Sequence, residues 1–243
     1  MDTKGEIIQK NVAIVRERIA EAEYKAGRPQ GCVRLVGVTK FVEKERIAPA
    51  LLAGITETGE NRAQEFVDKN DFFDEYGVKK HFIGTLQSNK VKYLVGKADL
   101  IQSVDRPQLL TLINRLAQKA GIEQDILIEV NIGHEEQKAG IIPETLPELF
   151  KIIPTFPNIR LKGLMCVPPQ GTAEETRPYF ARMRDIFMKM KETELPNVSM
   201  EILSMGMSGD YTAAIEEGST MVRVGSAIFG ARPPMRRPAA PTV

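Results

Sequence analysis

The sequence predicts a single α/β domain, a (β/α)8 TIM barrel. Three observations carry that expectation: eight short strand-like runs, a helical stretch between each successive pair, and a length of 243 residues, the size of eight such units. Regular alternation of this kind implies parallel strands joined by helical crossovers. An open doubly wound sheet is the main rival, but it normally carries a glycine-rich phosphate turn after its first strand, and no GxGxxG occurs in the chain.

The elements run in order. Ile8, Val12, Val15 and Ile19 recur at steps of four, three and four, one apolar stripe on a helix that Gly27 and Pro29 then stop. The first strand is "VRLVGV" (33–38), followed by a helical stretch around Ile47 to Leu52, the short run "ITET" (55–58) and a helix over "AQEFVDKNDFF" (63–73). The pattern continues with "HFIG" (81–84), a helix near 88–95, "DLIQSV" (99–104), a helix near 107–120 and "DILIEVNI" (125–132). Next come a helix near 144–153, "IRLKGLMC" (159–166), a long helix from about 174 to 192, and "MEILSMG" (200–206). A short helix near 210–217 precedes the eighth run, "MVRVGSAIFG" (221–230). The barrel is expected over residues 1–231, and the proline- and arginine-rich tail "RPPMRRPAAPTV" (232–243) is expected to be disordered.

Composition narrows the classes of function. Thirty-three basic residues against thirty-two acidic leave a net charge of +1, which advertises neither nucleic acid nor an anionic membrane as a partner. No run approaches the roughly 18 apolar residues of a spanning helix, and "MDTKGEIIQK" lacks the apolar core of a secretory signal, so a cytoplasmic protein is expected. Cys32 and Cys166 sit far apart without CxxC spacing and read as reduced packing thiols. His81 and His134 lack ligand spacing for a metal; His81 reads as a packing or rim residue, and His134 with Glu135 and Glu136 as a solvated turn. "GITETGEN" (54–61) has Glu60 and Asn61 where a phosphate loop needs Lys and Ser or Thr, and "GMSGD" misses the second glycine of a hydrolase elbow.

The chemistry begins where the first strand ends. In "VRLVGVTK", residues two apart share a face, so Val36, Val38 and Lys40 point one way and Leu35, Gly37 and Thr39 the other. If the valines line the barrel interior, Lys40 emerges at the C-terminal mouth, where barrels build their sites. A lysine beside an apolar interior loses hydration, which favours the neutral amine needed for a Schiff base; the alternative is a lysine that ends the strand and reaches into solvent. The turns after the seventh and eighth strands, "SMGMSGDY" (204–211) and "GSAIFG" (225–230), fall where barrels often bind phosphate. Ser208 and Gly209 precede a short helix that Asp210 is placed to cap, and Gly225 with Ser226 offers a second set of donors. Either turn alone is equally an ordinary helix start or a relief of crowding. Arg223 lies between them, facing inward while Val222 and Val224 face outward; it must meet a carboxylate or a ligand atom with a lone pair.

The runs "VGVTK" (36–40), "GENRAQE" (59–65), "HFIGTLQSNK" (81–90), "SVDR" (103–106), "EVNI" followed by Lys138 and Gly140, "GLMCVP" (163–168), "LSMGMSGDY" (203–211) and "GSTMVRVGSAIFGAR" (218–232) resemble the YggS/PROSC family of pyridoxal 5′-phosphate homeostasis proteins. That family's fold is like the N-terminal barrel of alanine racemase. The resemblance spans roughly residues 7 to 232 and implies a pyridoxal 5′-phosphate cofactor held as an aldimine on Lys40. It further implies that Ser208, Gly225 and Ser226 hold the phosphate, that Arg223 faces the pyridine nitrogen, and that Asn61 lies near the cofactor. Asn61 with Gln64 also fits a capping box at a helix start. Two departures stand out: Thr85, where the family more often has histidine, asparagine or proline, and the basic tail.

An arginine at the pyridine nitrogen can only donate, so the nitrogen stays unprotonated and the ring is a weak electron sink. Racemisation also needs an acid and a base on opposite faces of the α-carbon, and alanine racemases take the second from a tyrosine of a C-terminal β-domain that is expected to be missing here. The expected function is therefore to buffer or deliver pyridoxal phosphate with little turnover, as a monomer, with apo enzymes that use the cofactor as candidate clients. A pyridoxal phosphate-dependent amino-acid racemase and a cofactor-free Schiff-base aldolase are the alternatives.

Overall fold

The computed structural model describes residues 3–231; the tail from 232 onward lies outside the described residues. Eight parallel strands close into a barrel in sequence order. They are β1 (Arg34–Val38), β2 (Glu57–Glu60), β3 (Lys79–Phe82), β4 (Leu100–Val104), β5 (Gln124–Val130), β6 (Ile159–Cys166), β7 (Val198–Ser204) and β8 (Met221–Val224). Closure comes from β8 returning to β1, with Arg34 opposite Met221 and Val36 opposite Arg223. The expected fold class is therefore the observed one.

The helices are α1 (Lys4–Lys25), α2 (Lys44–Leu52), α3 (Ala63–Glu75), α4 (Pro107–Ala120), α5 (Leu146–Ile152), α6 (Ala173–Lys191), α7 (Tyr211–Glu216) and α8 (Ser226–Phe229). Reciprocal capping boxes start the two longest, Thr3 with Glu6 on α1 and Thr172 with Glu175 on α6. The interior is floored by Val36, Leu100, Leu127, Met165, Ile202 and Met221, while neighbouring residues of opposite parity pack against the helices. Helix α1 precedes the first strand and buries Ile8, Val12, Val15 and Ile19 in a cluster with Ile228 and Phe229. It covers the β8–β1 seam, which the four residues of α8 are too few to cover alone.

Strands β2 and β3 are each displaced by two residues from the sequence reading, 57–60 against 55–58 and 79–82 against 81–84, and three further elements differ in kind. Residues Ser88–Tyr93 form a 3-10 helix rather than an α-helix. The stretch near 144–153 divides into a 3-10 turn, Pro143–Thr145, and α5. The eighth run is strand only to Val224: the carbonyl of Gly225 accepts the N–H groups of both Ile228 and Phe229, which winds the segment after it into α8.

Candidate functional site

A cavity of about 700 Å³ opens at the C-terminal end of the barrel. Lys40, Asn61, Ser208, Arg223, Gly225 and Ser226 all line it, so the fold gathers into one site six residues separated by as much as 186 positions of chain, from 40 to 226. Its size suits a small organic ligand.

Lys40 continues the face that Val36 begins in the interior and Val38 carries to the cavity wall. The chain around it is tied to a buried polar cluster. Thr39 Oγ1 donates to Glu60 Oε1 at 2.6 Å, and Lys69 Nζ, reaching in from α3, donates to the Thr39 carbonyl and to Glu60 Oε1, each at 2.8 Å. Phe41 adopts a left-handed backbone with φ of 61°, and its N–H donates to Glu65 Oε2 at 2.7 Å. The Arg62 guanidinium stands over the Phe41 ring, 4.5 Å from its centre. Burial pushes the Glu60 carboxyl above its ordinary pKa, while the Lys69 ammonium and the Thr39 hydroxyl oppose the shift. The lysine thus leaves the strand from a backbone held on both sides.

The two turns interlock. Ser208 Oγ accepts the N–H groups of Gly225 at 3.1 Å and Ala227 at 3.2 Å, which leaves its own hydrogen to give. A Cβ at Gly225 would lie 3.2 Å from the Val38 Cβ, so glycine lets β8 approach the strand that carries Lys40. Asp210 corrects the sequence reading. Its Oδ1 accepts the Met207 N–H at 2.6 Å, bracing the turn from behind, and its side chain makes no capping bond to α7.

Arg223 is buried and donates to Ser204 Oγ at 2.6 Å and the Cys166 carbonyl at 2.9 Å. Among the described residues no carboxylate reaches ion-pair distance of it, so the structural ion pair does not form. Burial lowers its pKa, and Cys166, Glu129 and Asp210 oppose that shift. Burial also pushes the Cys166 thiol up to about 12, which keeps it the neutral packing group expected.

Asn61 Oδ1 is buried without a hydrogen-bond partner, an acceptor left waiting beside the cavity. The capping-box alternative is not formed: the cap of α3 is Arg62 with no side-chain bond, and Gln64 instead donates to Asp68. A Cβ at Gly84 would fall 2.3 Å from the Asn61 carbonyl oxygen, so only glycine permits the chain after β3 to close on this residue.

Sequence reasoning assigned no role to Lys138, which lines the cavity and donates to the Pro168 carbonyl at 2.9 Å. It also missed Ser204, Glu60 and Lys69; the only advance sign of these was the i, i+4 spacing of Glu65 and Lys69. His81 lies inside the barrel rather than at its rim, and His134 is on an exposed turn facing Glu144. No group of metal-ligating side chains occurs among the described residues.

A closed parallel barrel with its lysine, arginine and small-residue turns converging on the C-terminal mouth belongs to the class of small-ligand barrels that bind where strands end. The profile of the family described as "Alanine racemase, N-terminal domain" matches residues 8–233. A protein of Aquifex aeolicus named "Pyridoxal phosphate homeostasis protein" is 46% identical over 219 residues, 90% of this chain and 95% of its own. A crystal structure of a protein from Bifidobacterium adolescentis superposes with a TM-score of 0.88 at 36% identity, covering 94% of this chain and 97% of that one. The structure of PipY from Synechococcus elongatus with PLP bound gives 0.76 at 32% identity, covering 87% of this chain and 100% of PipY. The chain belongs to the alanine racemase N-terminal domain family and, within it, to the pyridoxal phosphate homeostasis proteins.

Proposed function

We propose that this protein binds pyridoxal 5′-phosphate at the barrel mouth and serves to hold and release it rather than to use it in turnover. The observation that carries the reading is the meeting of a strand-end amine, a donor-only guanidinium and a hydroxyl-bearing turn in one cavity, together with a relative whose structure has PLP bound. The residues fit the group. Asn61 Oδ1 lacks a partner, Ser208 keeps a hydrogen to donate to an anion, and the volume suffices. When bound, the cofactor supplies an electrophilic aldehyde carbon that condenses reversibly with a primary amine.

In this reading Lys40 provides the amine and Ser208 and Ser226 hold the phosphate, while Gly225, whose N–H goes to Ser208, contributes the close approach of the turn. Arg223 gives a remaining N–H to the pyridine nitrogen; having no acceptor atom to receive a pyridinium N–H, it keeps that nitrogen unprotonated. Asn61 borders the ring. The same donor-only arginine supports a non-catalytic role, as does the absence of tyrosine from the described lining of the cavity.

Loading the purified protein with pyridoxal phosphate, reducing it with borohydride and mapping the modified peptide tests the assignment. The expected result is a yellow protein before reduction, a colourless one labelled at Lys40 after it, and loss of the covalent label in Lys40→Ala. Labelling at another lysine, or a full visible band in Lys40→Ala, would contradict it. The loaded protein should exchange no α-proton of an amino acid in deuterated water; exchange would restore the racemase alternative.

A further inference from the structure

Arg223 does not end at its first partner. Ser204 Oγ, which accepts from the guanidinium, donates to Gln102 Oε1 at 2.7 Å, and Gln102 Nε2 lies 2.8 Å from His81 Nδ1. Four buried polar side chains on β8, β7, β4 and β3 therefore join into one chain across the inside of the barrel, beside its apolar floor.

The direction of every bond in the chain is set by donor chemistry. A guanidinium only donates, so Ser204 Oγ is the acceptor there and spends its hydrogen on Gln102. The nitrogen end of Gln102 is also 3.2 Å from the Met221 sulfur, which only accepts, so the amide NH2 and not the carbonyl faces Met221 and His81. His81 Nδ1 is thereby an acceptor and the ring proton sits on Nε2. The ring is neutral, because burial and the nearby Arg34 and Lys79 cations push its pKa down to about 3. Nε2 makes no hydrogen bond of its own; Glu57 Oε2 stands 3.4 Å from it, a carboxylate clamped by Arg34 through two bonds of 2.8 Å.

We propose that Ser204, Gln102 and His81 are positioning residues: a one-way hydrogen-bond relay that fixes Arg223 in a single orientation before any ligand arrives. A long cationic side chain loses several rotamers when it is pinned, and here the relay has done so in advance, leaving the guanidinium aimed at the cavity. The inference rests on the proposed site only in what Arg223 is aimed at; the relay itself belongs to the ligand-free protein.

Two readouts keep the relay and the cofactor reading apart. In ligand-free protein, nitrogen-15 NMR should show His81 as the Nε2–H tautomer at neutral pH and the Arg223 Nη1–H, bonded to Ser204 Oγ, as slowly exchanging. Ser204→Ala and Gln102→Leu should each speed that exchange about tenfold or more, with Ser204→Thr restoring it. Added pyridoxal 5′-phosphate should then bind the two variants about tenfold more weakly and with a shifted visible maximum, while Ser204→Thr matches the parent. An Nδ1–H tautomer at His81 would overturn the relay, as would unchanged Arg223 exchange in a folded Ser204→Ala. Should Gln102→Leu fail to fold, Ser204→Ala, which removes one oxygen atom, decides alone. Normal NMR behaviour with no binding of pyridoxal phosphate by the parent protein would keep the relay and sink the cofactor reading instead.

Discussion

Glu129 faces the barrel interior two residues beyond Leu127, near the Asp105 carboxylate and Arg223. Burial and Asp105 push its pKa up to about 7 against an ordinary 4.5, and Arg223 only partly opposes them. The folded protein therefore holds this proton more tightly than the unfolded chain. The stabilisation is complete below the ordinary 4.5 and is lost as pH rises through about 7. Glu129→Gln, which stays neutral, should leave the Tm of ligand-free protein unchanged near pH ~4 and raise it near pH ~8, by a stability difference on the order of 3 kcal/mol. An equal Tm difference at both pH values would show that Glu129 ionises normally. At this scale the sequence announced Lys40 and Arg223, because strand parity alone decides which way they face. It did not announce Ser204, whose hydroxyl matters only because β7 lies beside β8 in one particular register. Asp210 was legible as a turn residue but not in its bond, since an aspartate before a helix can turn forward to cap or back to brace the loop.

The end of β1 depends on α3, an element that contributes Lys69 from 29 positions further along the chain, 69 against 40. Lys69→Met would leave Glu60 buried without its cation and release the Thr39 carbonyl. Loss of one partner of such a pair costs about 3–5 kcal/mol. Chemical denaturation should show that loss, and the Glu60→Gln, Lys69→Met double variant should recover part of it, because both buried charges are then gone. A double variant no more stable than Lys69→Met would place the effect in packing instead. The βα alternation and most element positions were readable from periodicity. The misread end of the eighth run has a specific cause: "GSAIFG" is apolar enough to extend a strand, and only the backbone of Gly225, turned to φ −119° and ψ −74°, starts a helix there.

Barrel closure is a property of the whole molecule, and it relies on both ends of the described chain. Strand β8 zips to β1 over Arg34 to Gly37, and α1 seals the outside of that seam. Removing residues 1–26 should uncover Val222, Val224, Ile228 and Phe229 together, and far more apolar surface is exposed than a marginally stable domain tolerates. The shortened protein should lose its cooperative thermal transition; a sharp transition at the parent Tm would show that α1 is dispensable. Which faces meet another protein was not legible, because the small net charge carries no sign of a partner. Everything proposed for the site reduces to one convergence, of Lys40 and Arg223 on opposite sides of a single ring whose phosphate lies in the Ser208 and Gly225 turns. A crystal structure of the protein grown with pyridoxal 5′-phosphate measures this directly. Continuous density is expected from Lys40 Nζ to the aldehyde carbon, with the Arg223 guanidinium at hydrogen-bond distance from the pyridine nitrogen and the phosphate against Ser208. Cofactor density elsewhere on the molecule, or a ring reversed so that its phosphate meets Arg223, would contradict it.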